Sequence, residues 1–308
     1  MPSYSVDRSI SIEATPEKVF DVVADYRTWT SWSPWLCSEP DAKVTVSEDP
    51  CSVGAKYCWE GDIVGSGELE HIELSRGQSI RDEIRFFKPF KSKSNVSFQI
   101  LPSGDETNLT WSMNGSLPWF MFWMKPMMTS MISMDYERGL RMLKEWIETG
   151  RIESKTEIKG LQAIDTFSVS GIRKQSSMKD ISSAMEVAYS ETNNEFDRLG
   201  VPRDKGCVSV YHHFDLKRQI LDFTTGYVVD EALDSTALND WSIDECSALR
   251  VDHTGRYEHL GNAWSAANQF ARYKKLKQSK VGTFEIYRNM ACDVEASELK
   301  TEIYLPLR

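Results

Sequence analysis

The residue in this chain best placed to do chemistry is Glu302, a carboxylate inside an otherwise apolar strand, Thr301-Glu302-Ile303-Tyr304-Leu305. Alternation with a period of two turns Ile303 and Leu305 toward covering helices and sets Glu302 and Tyr304 on the opposite face. Applied to Thr283-Phe284-Glu285-Ile286-Tyr287, the same rule points Phe284 and Ile286 to the core and Glu285 and Tyr287 to the other face, which is polar at its centre and aromatic around it. A carboxylate held away from water loses several kcal/mol of solvation unless it is protonated or paired, and a ligand cation would supply the partner. The alternative is structural: Glu302 accepts a hydrogen bond from a tyrosine or an arginine across the sheet and meets no ligand.

The elements that position Glu302 form a strand-helix-strand-strand unit written twice between residues 164 and 307. The first copy runs from Ala163-Ile164-Asp165-Thr166-Phe167-Ser168-Val169 through a helix at about 178–199 into Val208-Ser209-Val210-Tyr211 and Phe223-Thr224-Thr225-Gly226-Tyr227-Val228-Val229. The second has Ala248-Leu249-Arg250-Val251, a helix at about 260–276, then residues 283–287 and 301–305. Internal repetition of a supersecondary unit predicts two halves sharing a core, with a cleft where they meet. Residues Asp240 to Glu245 read as a solvated loop joining the repeats. His212 and His213 point to opposite faces of a regular strand, so they are not expected to share a metal.

Three stretches of this half resemble the gyrase-inhibitor-like small-molecule-binding domain, also found as the effector-binding part of AraC-type regulators. They are His253-Thr254-Gly255-Arg256-Tyr257-Glu258-His259-Leu260 with Trp264 beyond it, Thr283-Phe284-Glu285-Ile286-Tyr287, and Leu299-Lys300-Thr301-Glu302-Ile303-Tyr304-Leu305-Pro306; Val208-Ser209-Val210-Tyr211 adds the first repeat. The resemblance covers about 155–308. It implies a pocket between the repeats whose central carboxylate receives lipophilic cations. Glu302 matches the carboxylate and Tyr257, Tyr287 and Tyr211 match the aromatic positions around it, with Trp264 and Tyr304 completing the expected ligand-binding set. Aromatic faces add about 0.5–2 kcal/mol each toward a cation. Taken singly, each tyrosine is equally explained by core packing.

The first half begins with a strand, Tyr4 to Ile12, and a helix start in which Thr15 is the N-cap and Pro16 stands at N1. Short strands split by Gly61, Gly65-Ser66-Gly67, Gly77 and Pro102-Ser103-Gly104-Asp105 follow as an antiparallel meander, and a helix at about 127–148 closes the half. The order, together with Thr15-Pro16-Glu17-Lys18-Val19-Phe20, Trp29-Thr30-Ser31-Trp32-Ser33-Pro34-Trp35 and Tyr136-Glu137-Arg138-Gly139-Leu140-Arg141-Met142-Leu143-Lys144, resembles the polyketide cyclase/dehydrase and START-like helix-grip superfamily (SRPBCC) over about 3–149. The fold class is therefore α+β throughout. Domains are expected at 1–150 and 155–308, with Gly150 ending the long helix before a polar linker.

Eight of the ten tryptophans lie in this first half, as do seven methionines between 121 and 142. They line a soft cavity for apolar molecules or simply fill an irregular core. Leu117-Pro118-Trp119-Phe120-Met121-Phe122-Trp123-Met124 is far shorter than the roughly 20 residues of a membrane span, so no stable membrane insertion is expected. A loop folded over a cavity is preferred to an interfacial one, and solvent exposure of that run would instead indicate a partner or membrane. His71 has no catalytic companions, and Glu60, Asp62, Glu68, Glu70 and Glu73 read as a solvated strand face.

The 308 residues carry a formal charge of -10 without a basic stripe, which disfavours nucleic acid as a partner. Six cysteines form no CxxC pair, so no metal and no cofactor is expected. No apolar leader follows Met1, and a reduced cytoplasm is the expected location. The functional expectation is a two-domain binding protein for hydrophobic, cation-preferring small molecules. The alternative is an enzyme that hydrolyses or cyclises a reactive small molecule with Glu302 as general acid or base, although no Ser, Cys or His triad is legible.

Overall fold

The computed structural model describes residues 3–308; Met1 and Pro2, which open the segment read as leader-free, lie outside it. The chain divides into two compact units, 1–153 and 154–308. Among the described residues, no helix is long and apolar enough to cross a membrane.

The first unit runs β1 (Ser3–Ile12), α1 (Pro16–Ala24), α2 (Trp29–Trp32), a 3-10 turn, β2 (Lys43–Val46), β3 (Lys56–Glu60), β4 (Ser66–Ser75), β5 (Ser79–Lys88), β6 (Ser92–Ser103), β7 (Glu106–Ser116), a 3-10 segment (Trp119–Met124) and α3 (Lys125–Thr149). Its sheet is antiparallel in the order β1-β7-β6-β5-β4-β3-β2, so the first strand returns beside the last. The backbone amide of Lys18 bonds the Thr15 hydroxyl at 3.3 Å, which fixes the start of α1. At the end of α3, Gly150 adopts φ 77°, a left-handed cap that L side chains rarely accept.

Of the two readings of these rings, core filling holds for Trp29, Trp32 and Trp111, which are buried. Trp111 stacks on Tyr136 of α3 at 4.0 Å and on Phe98 at 5.1 Å, with Trp29 and Trp32 edge-on to it. Gly139 permits this approach, since a Cβ there would stand 2.8 Å from the Trp111 ring. The acidic strand face is no bare solvated surface either: Arg85 bonds Glu68 and Glu70 across β4 and β5, and Lys56 pairs with Glu68 at 3.4 Å.

Beneath that ladder lies a buried polar pair that strand register creates, with His71 opposite Asp82. His71 Nδ1 is 2.6 Å from Asp82 Oδ1, its Nε2 is 2.9 Å from the Ala24 carbonyl, and its ring stacks on Tyr26 at 3.9 Å. Both ring nitrogens of His71 thus face oxygen atoms in a closed core. Burial raises the Asp82 pKa, against the His71 hydrogen bond and charge.

The second unit contains β8 (Lys155–Ile164), β9 (Phe167–Ser177), α4 (Ile181–Leu199), β10 (Cys207–Asp215), β11 (Ile220–Val229), β12 (Asn239–Ile243), β13 (Cys246–Thr254), α5 (Leu260–Tyr273), β14 (Thr283–Tyr287) and β15 (Lys300–Pro306). The sheet order is β12-β9-β11-β10-β14-β15-β13-β8, symmetric about the β10/β14 seam where the two repeats join. The stretch 163–169 is not one strand: Asp165 and Thr166 interrupt it between β8 and β9, which are not neighbours in the sheet. Asp240 to Glu245 is no free loop, because β12 pairs with β9 and Asp240 accepts a 2.6 Å bond from Ser170. A bulge between Tyr211 and His213 breaks the regular alternation on which the reading of His212-His213 rested.

Both faces of this sheet are covered. On one, Leu249, Val251, Ile303 and Leu305 pack against Ala263 and Ala267 of α5. On the other, Val208, Val210, Phe284 and Tyr304 pack with Phe167 and Trp241.

Asp82→Ala should remove the buried hydrogen-bond partner of the His71 ring in a closed core and cost about 1–3 kcal/mol. Urea unfolding followed by tryptophan fluorescence measures this, since eight of the ten tryptophans report on the first unit. A loss under about 0.5 kcal/mol would contradict a buried hydrogen bond between the two side chains.

Candidate functional site

The central carboxylate of the second unit is Glu285, one strand away from the residue that the sequence pointed to. Glu285 pairs with Ser209 of β10 on one side and Ile303 of β15 on the other, which puts it on the helix-covered face at the seam between the repeats. It is 0 % exposed. Its Oε2 accepts hydrogen bonds from the Tyr211 hydroxyl at 2.8 Å and the Tyr287 hydroxyl at 2.5 Å, while Oε1 accepts from the Trp264 indole of α5. No basic side chain among the described residues lies within ion-pairing distance.

The surrounding rings come from both repeats. Tyr211 meets Trp264 edge to face at 5.2 Å, and Tyr287 meets Tyr189 of α4 at 6.1 Å and Tyr257 at 5.9 Å. The Tyr287 hydroxyl has one proton and two neighbours, Glu285 and, at 3.3 Å, Ser209. The shorter bond, to Glu285, takes that proton. Burial raises the Glu285 pKa, and the hydrogen bonds from Tyr287, Trp264 and Tyr211 oppose the shift without cancelling it. Burial, and then the Glu285 charge, hold Tyr211 and Tyr287 well above the ordinary phenol range. Tyr257 is the most open member at 38 % exposure.

Glu302 has the opposite surroundings. It pairs with Ile286 and Asp252 on the face away from α5, as its alternation indicated. Arg250 Nη2 bonds its Oε1 at 2.6 Å, Arg288 Nη2 bonds its Oε2 at 2.6 Å, and the Tyr304 hydroxyl adds a third bond at 2.7 Å. Burial would raise its pKa, but the bonds from Arg288 and Tyr304 and the charges of both arginines outweigh it, so the carboxyl lies below its ordinary range. Glu302 is therefore paired rather than partnerless, which is the structural alternative left open above, with both a tyrosine and arginines.

The expected set thus separates into two places. Tyr211, Tyr287, Trp264 and Tyr257 gather around Glu285, whereas Glu302 and Tyr304 stand on the other face with the arginines. Glu285, Tyr189 and Ser209, which complete this cluster, were not among the expected residues; an arginine partner for Glu302 was foreseen as an alternative, but not Arg250 or Arg288 by position. The available signal was a carboxylate between Phe284 and Ile286 in a strand ending at Tyr287, as conspicuous as Glu302 itself. Among the described residues no group of three His, Cys, Asp or Glu side chains is arranged to hold a metal.

Residues 3–148 match the family model described as polyketide cyclase / dehydrase and lipid transport, and residues 162–308 match the GyrI-like small molecule binding domain. No match was found among curated proteins. Similar solved structures include the EcmrR–DNA complex, at 18% identity over 59% of this chain and 65% of that one with a TM-score of 0.43, a span just under two thirds of that protein. SAV2435 bound to tetraphenylphosphonium matches at 14% identity over 49% of this chain and 94% of that one, TM-score 0.40. CalU16 from Micromonospora echinospora matches at 13% over 48% and 78%, TM-score 0.35.

The raised pKa of Glu285 has a definite sign in stability. The folded state binds this proton more tightly than the unfolded chain, so stability falls as pH rises from about 4.3, the unfolded value, through the folded pKa. Glu285→Gln keeps the shape, with its oxygen facing Trp264 and its amide donating to the tyrosine oxygens. Thermal unfolding should show the variant gaining on the wild type as pH rises from 4 to 8; a constant difference across that range would contradict the raised pKa.

Proposed function

This chain joins a polyketide cyclase/dehydrase-type domain to a GyrI-like small-molecule-binding domain, and from that premise we propose that the second unit captures hydrophobic cations at Glu285. One observation carries the reading: a fully buried carboxylate lies at the seam of the repeats with aromatic hydrogen-bond donors and no cationic partner.

Three neutral donors offset part of the cost of burying the charge, and protonation offsets the rest while the site is empty. A ligand cation takes over from that proton. The Tyr and Trp faces add contact area and about 0.5–2 kcal/mol of cation–π attraction each. Because Glu285 is sealed from solvent, Trp264 and the half-open Tyr257 swing aside to admit a ligand. Binding then releases a proton, so affinity rises with pH until the empty-site carboxyl is ionised.

The enzymatic alternative required a general acid or base at Glu302. A carboxylate held low by two arginines is unsuited to take and return protons near neutrality. All six cysteines are unpaired, which fits the reducing cytoplasm that we propose as the location.

Tetraphenylphosphonium and tetraphenylborate, alike in shape and opposite in charge, test the proposal by calorimetric titration of the whole chain. The wild type should bind the cation and reject the anion. Glu285→Gln should weaken cation binding by about thirtyfold or more, the equivalent of 2 kcal/mol for loss of one member of a buried charge pair. Glu302→Gln should change it by no more than about threefold, under 1 kcal/mol. Equal binding of both ions, or an unaltered Glu285→Gln, would remove the carboxylate from the function.

A further inference from the structure

The segment read as a loop over a cavity faces solvent. Trp119, Phe120, Phe122 and Trp123 are 60 to 76 % exposed, and Met127 follows at the start of α3. Large apolar side chains clustered in this way mark a contact surface rather than a core.

A second exposed group leaves the sheet at the same end. β6 begins at Ser92 and β7 ends at Ser116, with Ser94 opposite Gly115, so the β5–β6 turn and the Trp119–Met124 segment depart from neighbouring strand ends. That turn carries Phe90, 78 % exposed, with Phe87 beside it.

Charge selects the partner. Residues 86–93 and 117–134 contain Lys88, Lys91, Lys93 and Lys125 and no Asp or Glu, in a chain whose formal charge is -10. Lys91 and Lys125 make no ion pair among the described residues. Lys88 lies 3.6 Å from Glu60, and Lys93 pairs with Glu83. Asp62 and Glu39 meet at the β3–β4 turn, and Asp41 precedes β2 at the same end, all beyond β5 and β4 in the sheet.

Exposed tryptophan and phenylalanine rimmed by lysine suit the headgroup boundary of a bilayer. The rings enter the acyl edge while the ammonium groups meet anionic headgroups. We propose that this end of the first unit docks peripherally on an anionic lipid bilayer, without spanning it. The occupant is a lipid surface rather than another protein because lysine is depleted at protein–protein interfaces, whereas lysine beside exposed aromatic rings is the pattern of interfacial anchors.

Sedimentation of the full chain with vesicles of phosphatidylglycerol and phosphatidylcholine, or of phosphatidylcholine alone, tests this. Binding to the anionic vesicles should exceed binding to the neutral ones and weaken with added salt. The double change Trp119→Ser/Trp123→Ser should reduce it at least tenfold, and Lys91→Glu/Lys125→Glu should abolish the preference for anionic lipid. All four side chains are exposed, and unchanged circular dichroism verifies that the variants fold. No vesicle binding, binding insensitive to both variants, or self-association that the tryptophan variant abolishes would overturn the proposal.

Discussion

The second unit is organised around one constraint: a carboxylate at the seam of two repeats must be desolvated without a countercharge. Glu285 is brought there by the pairing of β10 with β14, and its donors come from both copies, Tyr211 from the first, Tyr287 and Trp264 from the second. A change in seam register by one residue would turn Glu285 to the opposite face and separate it from all three. The polar cluster and the apolar packing on either side therefore specify the same register.

Glu302 shows that this arrangement is not the default for a carboxylate in this sheet. On the adjacent strand and opposite face, it receives two arginines and a tyrosine. An ion pair of that quality tolerates partial burial because geometry and added hydrogen bonds offset desolvation. The pKa shifts of the two groups go in opposite directions for this reason, up for Glu285 and down for Glu302. A mobile cation near Glu302 would have to compete with two guanidinium groups, each already bonded to one carboxylate oxygen; near Glu285, under the proposed function, it would have no competitor except the proton.

The repeat, the Thr15 and Gly150 caps, the long α3 helix and the alternation that turns Ile303 and Leu305 to α5 were legible in the sequence, because each depends on local chemistry or a simple period. The assignment of Glu285 to the polar face failed for a physical reason. Alternation states which residues share a face, but it names the core face only when the other face is wet. Here Phe284 and Tyr304 are buried on one side and Ile303 and Leu305 on the other, so an apolar residue at 284 did not identify the helix side. The Asp165-Thr166 break was hidden similarly, since the apolar alternation continues on both sides of it. In the first unit, composition showed the abundance of Trp and Met but not its division between the packed Trp29, Trp32 and Trp111 and the exposed Trp119 and Trp123. Only three-dimensional neighbours separate those two uses of one residue type.

A sealed site and a receptive one are compatible when a proton occupies the place of the ligand's charge. With Glu285 protonated, the cluster is neutral and closed, so the empty domain has no exposed apolar cleft at the seam to stabilise. Under the proposed function, the state that accepts a cation differs by loss of that proton and by displacement of the half-open Tyr257 and of Trp264, which is held by one hydrogen bond, ring contacts and packing against the α5 cluster. A neutral hydrophobe could displace the rings but would leave the proton in place, gaining only area. An anion would meet a carboxylate ready to ionise. On the proposed function, the selectivity of such a pocket would come from the cost of the empty site's missing countercharge, not from a close fit of walls, and it would tolerate ligands of different shape that bring a positive charge to the same point.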